Sequence, residues 1–167
     1  MRSELLKVKK TTFLWKIEKF SSFKKKKFSE VELKSESFYT GYNGASGYHV
    51  RVVMWSDDIC YNSNSEEFLG IEILKGKHDV LLKWPFQKTV TYTLIDQNHK
   101  YSDRKNICKC VTYKESQRYL ADYYQKKKLG SFCPYLLSSS EHNITSNDSS
   151  GVFVKDDTVY IQVEIEH

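Results

Sequence analysis

Residues 159–165, VYIQVEI, limit the fold more than any other stretch, because Val159, Ile161, Val163 and Ile165 recur in steps of two with Tyr160, Gln162 and Glu164 between them. A step of two places one set on each face of an extended chain, whereas on a helix the same residues would spread around the axis. The segment therefore predicts a strand with one face in a core and one in water, the pattern of an antiparallel sheet covered on one side. The same alternation recurs upstream. Val90, Tyr92, Leu94 and Asp96 interleave with Thr91, Thr93, Ile95 and Gln97. Val50, Val52 and Met54 oppose His49, Arg51, Val53 and Trp55, and Phe13, Trp15 and Ile17 repeat the pattern near the start. Residues 31–39, 68–74 and 107–113 read as further strands, rich in β-branched and aromatic residues.

Turn chemistry separates them. Gly41, Asn43, Gly44 and Gly47 mark one reversal, Gly76 closes another segment, and residues 155–158, KDDT, form a charged turn whose Asp side chains can hold backbone amides. Val80, Leu81, Leu82 and Trp84 read as a short buried segment stopped by Pro85. The lysines at 24–27 suit a loop or an edge that repels strand addition, and the polar residues at 138–150 suit a surface loop. Helical spacing occurs once, at residues 116–128. The expected fold is all-β: an antiparallel β-sandwich of seven or eight strands with at most one short helix. A length of 167 residues suits one domain, expected over 11–167 behind a tail or helix end at 1–10.

Several functions are disfavoured. The formal charge of +5 sits largely in lysine runs at 24–27 and 126–128, with no nucleic-acid motif beside them, so no nucleic-acid partner is expected. Neither a signal peptide nor a membrane-length apolar stretch is visible, which predicts a cytoplasmic protein without membrane insertion. Among the four cysteines, Cys108 and Cys110 are too close for a C-x-x-C zinc half-site, and Cys60 and Cys133 stand far off, so reduced thiols and no metal or other cofactor are expected. GASG at 44–47 is not a nucleophile elbow and no catalytic pairing stands out, so no enzyme is expected. The triplets at Asn143 and Asn147 would carry glycans only in a secreted protein.

Six segments taken together, FLWKIEKF at 13–20, SESFYTGYNG at 35–44, GYHVRV at 47–52, FLGIEILKGKHDVLLKWPF at 68–86, TLIDQN at 93–98 and FVKDDTVYIQVEIE at 153–166, resemble a MATH domain. The likeness is greatest to the C-terminal domain of the tumour necrosis factor receptor-associated factors, the TRAF family, and covers residues 11–167. Most of these residues are of framework type: Trp84 and Phe86 as apolar anchors, Asp96, Gln97, Asp156 and Asp157 as turn residues.

The resemblance implies a non-enzymatic module that takes an extended peptide, from a receptor tail, adaptor or ubiquitination substrate, along one edge of the sandwich. It implies a monomer or weak homotrimer unless a coiled coil precedes it; the alternative is a MATH domain excised from a larger enzyme, such as a ubiquitin ligase or adaptor, a ubiquitin-specific protease or a meprin-like secreted protease. Matching GY at 47–48 to the family puts Val53 where many TRAF proteins have a peptide-contacting arginine and Trp55 where they have a tyrosine. Tyr113, Ser116 and Tyr119 fall in the family's peptide-gripping segment, where ESQR at 115–118 is similar to the speckle-type POZ branch. Gly130 matches a glycine set between two aromatics, but Leu129 and Ser131 flank it here, implying a smaller and more polar pocket, and Lys128 with its neighbours favours an acidic peptide.

Overall fold

The computed structural model describes residues 9–24, 31–42, 44–57, 66–84, 86–112, 135–136 and 151–167. Two four-stranded antiparallel sheets face each other. The first carries β1 (Lys10–Ile17), β8 (Val159–Glu166), β5 (Thr89–Leu94) and β6 (Ile107–Thr112) in that order across the sheet. The second carries β2 (Val31–Tyr39), β3 (His49–Asp57), β4 (Glu66–Leu74) and β7 (Tyr135–Leu136). The β-sandwich expected from the alternation is thus the fold observed.

Alternation sorts the core. Val159, Ile161, Val163 and Ile165 of β8 are fully buried and meet Val90, Tyr92 and Leu94 of β5 on the same inner face. Val50, Val52, Met54, Leu69 and Ile71 supply the opposing layer. Each such side chain removed from water contributes roughly 1.5–3 kcal/mol before chain entropy is set against it.

One strand breaks the step of two. In β2 the half-buried apolar residues Leu33 and Phe38 are an odd number of positions apart, and both pack on the core. An extra residue reconciles them: the register with β3 shifts between Lys34 and Ser37, a β-bulge. Buried Ser35 serves it, its hydroxyl accepting from Val52 N at 2.9 Å and donating to Glu36 O at 2.7 Å.

Two features differ from the sequence reading. Val80 and Leu81 are 93% and 80% exposed on a single 3-10 turn, Asp79–Leu81, and Trp84 is 47% exposed, so this apolar run is a surface turn of which Leu82, half-buried, packs on the core. Local hydrogen bonds dictate the reversal: Gly76 N donates to Asp79 Oδ2 at 2.9 Å, Trp84 Nε1 to Asp79 O at 2.9 Å, and Leu81 N to His78 O at 2.9 Å. Trp84 still packs edge-on against the Tyr48 ring, whose other close neighbour, Phe86, is the true buried anchor at 7% exposure.

The second difference is helix α1, Phe20–Lys24, where the sequence reading expected no helix. Phe20 and Phe23 enter the core from it. Its first two amides are satisfied from afar, Phe20 N donating to Asp157 O at 3.0 Å and Ser21 N to Asp157 Oδ1 at 2.7 Å, and the third locally, Ser22 N donating to Lys19 O at 3.0 Å. The helix expected at 116–128 lies outside the described residues.

Candidate functional site

The sandwich has two sides, each bounded by one end strand from each sheet. Along one, β1 and β2 are sealed together by the stacked rings of Phe13 and Phe38, 4.3 Å apart, and by Thr11 Oγ1 donating to Thr40 O at 2.6 Å. Along the other, the end strands are β6 and β7.

β6 pairs with β5 alone among the described strands. By register Ile107, Lys109 and Val111 share the inner face with Leu94, Tyr92 and Val90. Ile107 and Val111 pack on the core, while Lys109 is exposed, a charge on the inner face of an end strand, which discourages indiscriminate strand pairing. Cys108 and Cys110 are exposed free thiols on the outer face, Cys108 Sγ accepting from Thr93 Oγ1 at 3.6 Å.

On the second sheet, register joins the positions Glu32, Trp55, Phe68 and Leu136 in one row that reaches β7. The adjoining row is Lys34, Val53 and Gly70, and the next is Ser37, Arg51 and Glu72. Val53 therefore lies on the face opposite Val52 and Met54, yet it is 0% exposed and stands outside the core cluster. Beside it, buried Glu72 accepts from Arg51 Nε and lies 4.0 Å from Lys34 Nζ. The place where the resemblance puts an arginine is thus a tight apolar position next to an ion pair. Trp55 is in β3, in the row that ends at the sheet edge. Tyr113, Ser116, Tyr119, Lys128, Leu129, Gly130 and Ser131 lie outside the described residues.

The framework reading is borne out for the side chains of Asp96, Gln97 and Asp157, while Asp156 serves its turn through its backbone, its carbonyl accepting from Thr158 Oγ1 at 3.1 Å. Asp96 is 1% exposed; its Oδ1 accepts from Asn98 N at 2.9 Å and Val152 N at 3.0 Å, and its Oδ2 from Lys105 N at 2.8 Å. Burial pushes its carboxyl up, but these amides, with the charge of Arg104, outweigh burial and hold it below the ordinary aspartate range. Gln97 Nε2 donates to Phe153 O at 2.7 Å and Thr158 O at 2.8 Å. Asp156 and Asp157, with φ of 51° and 54°, turn the chain between Lys155 and Thr158, as a type I′ turn requires. A cavity of about 510 Å³ opens beside Asp96 and Arg104, but both oxygens of that carboxylate are engaged by backbone. Among the described residues, no group of three or more His, Cys, Asp or Glu side chains could hold a metal ion. No described helix is long and apolar enough to cross a membrane.

Sequence reasoning found β6 but not its place at the end of a sheet, since strand order depends on partners remote in the chain. Lys109 was missed for that reason, its charge lying among residues whose facing only the register reveals.

Residues 30–162 match the family model described as TRAF/meprin, MATH domain. Human TNF receptor-associated factor 5 is 25% identical over 155 residues, which is 92% of this chain and 26% of that protein. Human TNF receptor-associated factor 2 is 24% identical over 156 residues, 92% of this chain and 29% of that protein. TNF receptor-associated factor 6 of Xenopus tropicalis is 33% identical over 89 residues, 52% of this chain and 15% of that protein. The chain spans about a quarter of the length of the two human relatives. The solved structure of Notothenia coriiceps TRAF5 superimposes with a TM-score of 0.64 over 93% of this chain and 73% of that one, at 21% identity, a likeness of fold.

Proposed function

From the premise that this chain belongs to the TRAF/meprin MATH domain family, we propose that it is a protein-interaction module without chemistry of its own, which binds an extended peptide along the side of the sandwich where β6 and β7 end the sheets. The single observation that carries this reading is the match of residues 30–162 to the TRAF/meprin MATH domain family, whose members include the receptor-associated factors. Main-chain groups of an end strand supply affinity, and side-chain pockets supply selection.

In this proposal Trp55, Tyr113, Ser116, Tyr119, Lys128, Leu129, Gly130 and Ser131 contact the peptide, and Val53 supports them from beneath, since it is buried. The similar proteins are named as receptor-associated factors, which supports a receptor or adaptor tail as the ligand class. Lys109 and Lys128 favour acidic residues in it, by charge complementarity.

Selection of displayed random peptides against the domain, followed by fluorescence polarisation, tests this. Trp55→Ala should weaken the selected peptide by at least about tenfold, as removal of a central aromatic anchor does. Replacing the peptide's Asp and Glu by Asn and Gln should weaken it further, more so at low salt. Unchanged binding by folded Trp55→Ala places the peptide elsewhere.

A further inference from the structure

The turn between β4 and β5 combines two properties that the peptide edge does not use. Its tip is apolar and stands clear of the domain, with Val80 93% and Leu81 80% exposed, and Trp84 47% exposed beside them. Its flanks are basic: residues 75–88 contain four lysines and one acid, Asp79. Lys75, Lys77 and Lys83 are exposed, and among the described residues none is in an ion pair. Asp79 is turned to internal use, its Oδ2 accepting from Gly76 N. On the neighbouring loop, tied to this one by His78 Nε2 and Ala45 O at 2.9 Å, Tyr42 is 79% exposed.

We propose that this turn docks the domain on an anionic lipid surface, with Val80 and Leu81 entering the boundary between headgroups and acyl chains, Trp84 at headgroup depth, and the lysines facing lipid phosphates and carboxylates. Shape selects lipid. Two branched aliphatic side chains on a convex turn need a partner that deforms around them, which a fluid bilayer does and a folded protein does only through a matching groove. Chemistry agrees, since an amphipathic indole beside aliphatic residues and long cationic side chains is the composition that settles at a membrane interface. Charge fixes the lipid class as anionic. The knob is also fixed in place: the bonds from Gly76 N to Asp79 Oδ2 and from Trp84 Nε1 to Asp79 O hold it, so little ordering is lost on docking. The contact is peripheral and requires no segment to cross the bilayer.

Flotation of the whole chain with vesicles tests the proposal, using phosphatidylcholine alone and phosphatidylcholine with phosphatidylserine. Wild-type protein should float with the second and not the first, and flotation should fall with added salt. Val80→Ser with Leu81→Ser should abolish flotation and leave the melting temperature unchanged, because both side chains are exposed. Lys77→Ala and Lys83→Ala should each weaken partitioning roughly fivefold. Lipids brominated near the headgroup should quench tryptophan fluorescence in wild type and not in Trp84→Phe. The proposal is overturned if wild type does not float with phosphatidylserine vesicles at low salt, or if the serine double variant floats equally well. It is also overturned if light scattering finds oligomers that the serine variant disperses while neither protein floats, for the turn is then covered by a second copy.

Discussion

Asp96 Oδ1 accepts the backbone N–H of Val152 at 3.0 Å, joining the end of β5 to the approach to β8 across 56 positions of sequence. The same carboxylate holds the N–H groups of Asn98 and Lys105, so one side chain organises three chain segments.

Asp96→Asn should therefore cost about 2–4 kcal/mol, because an amide offers one acceptor oxygen where a charged carboxylate offered two to buried donors. The pH dependence distinguishes this role from simple packing. The folded carboxyl is held below its ordinary value, so its contribution is complete above the unfolded value of about 3.9 and is lost as pH falls through the lower folded value. Urea unfolding of wild type and variant should differ by a constant amount at neutral pH and converge at the acid end. A gap that stays constant to low pH would refute it.

The bulge in β2 depends on Ser35. Ser35→Ala removes the hydroxyl that accepts Val52 N and leaves that buried N–H without its partner, at a cost of about 1–3 kcal/mol. Hydrogen exchange at Val52 should accelerate out of proportion to its neighbours in β3. Uniform acceleration across β3 would show that Ser35 contributes only to global stability.

Asp157 has two separable duties, a left-handed backbone and a cap for α1. Asp157→Gly keeps the φ of 54° and loses the bond to Ser21 N, costing about 1 kcal/mol. Asp157→Ala loses the cap and also strains the backbone, adding roughly 1 kcal/mol. Thermal melts should rank wild type above glycine above alanine; reversal of the last two would mean that the turn does not impose its conformation.

Val53 tests the family comparison directly. Val53→Arg restores the residue type that the resemblance places there, but at 0% exposure beside the Arg51 and Glu72 pair it buries a guanidinium whose nearest carboxylate is already paired. The expected loss is about 3 kcal/mol or more, with no gain in peptide affinity. A stable variant that binds the selected peptide more tightly would show that the position opens to ligand.

What was legible in the sequence was what depends on side-chain alternation. β3, β5 and β8 were readable because apolar and polar residues take opposite faces, and Asp96, Gln97 and the turn at 155–158 were readable as turn residues. The short helix was not, because its first two amides are satisfied by Asp157, 136 positions from Ser21, which the local sequence does not announce. Residues 80–84 misled because four large apolar residues in five positions look like core, whereas the turn held by Asp79, through bonds to Gly76 and Trp84, puts Val80 and Leu81 outward and leaves Leu82 packed on the core. At the candidate site, Val53 had the right strand, but its burial follows from packing against rows set by remote partners.

The clamp formed by Asp96 and Gln97 has an evolutionary consequence. These two residues grip Val152, Phe153 and Thr158 directly, so the approach to β8 is positioned by the end of β5. A substitution at Asp96 or Gln97 is therefore felt in two distant chain segments at once, and the two segments are bound to change together.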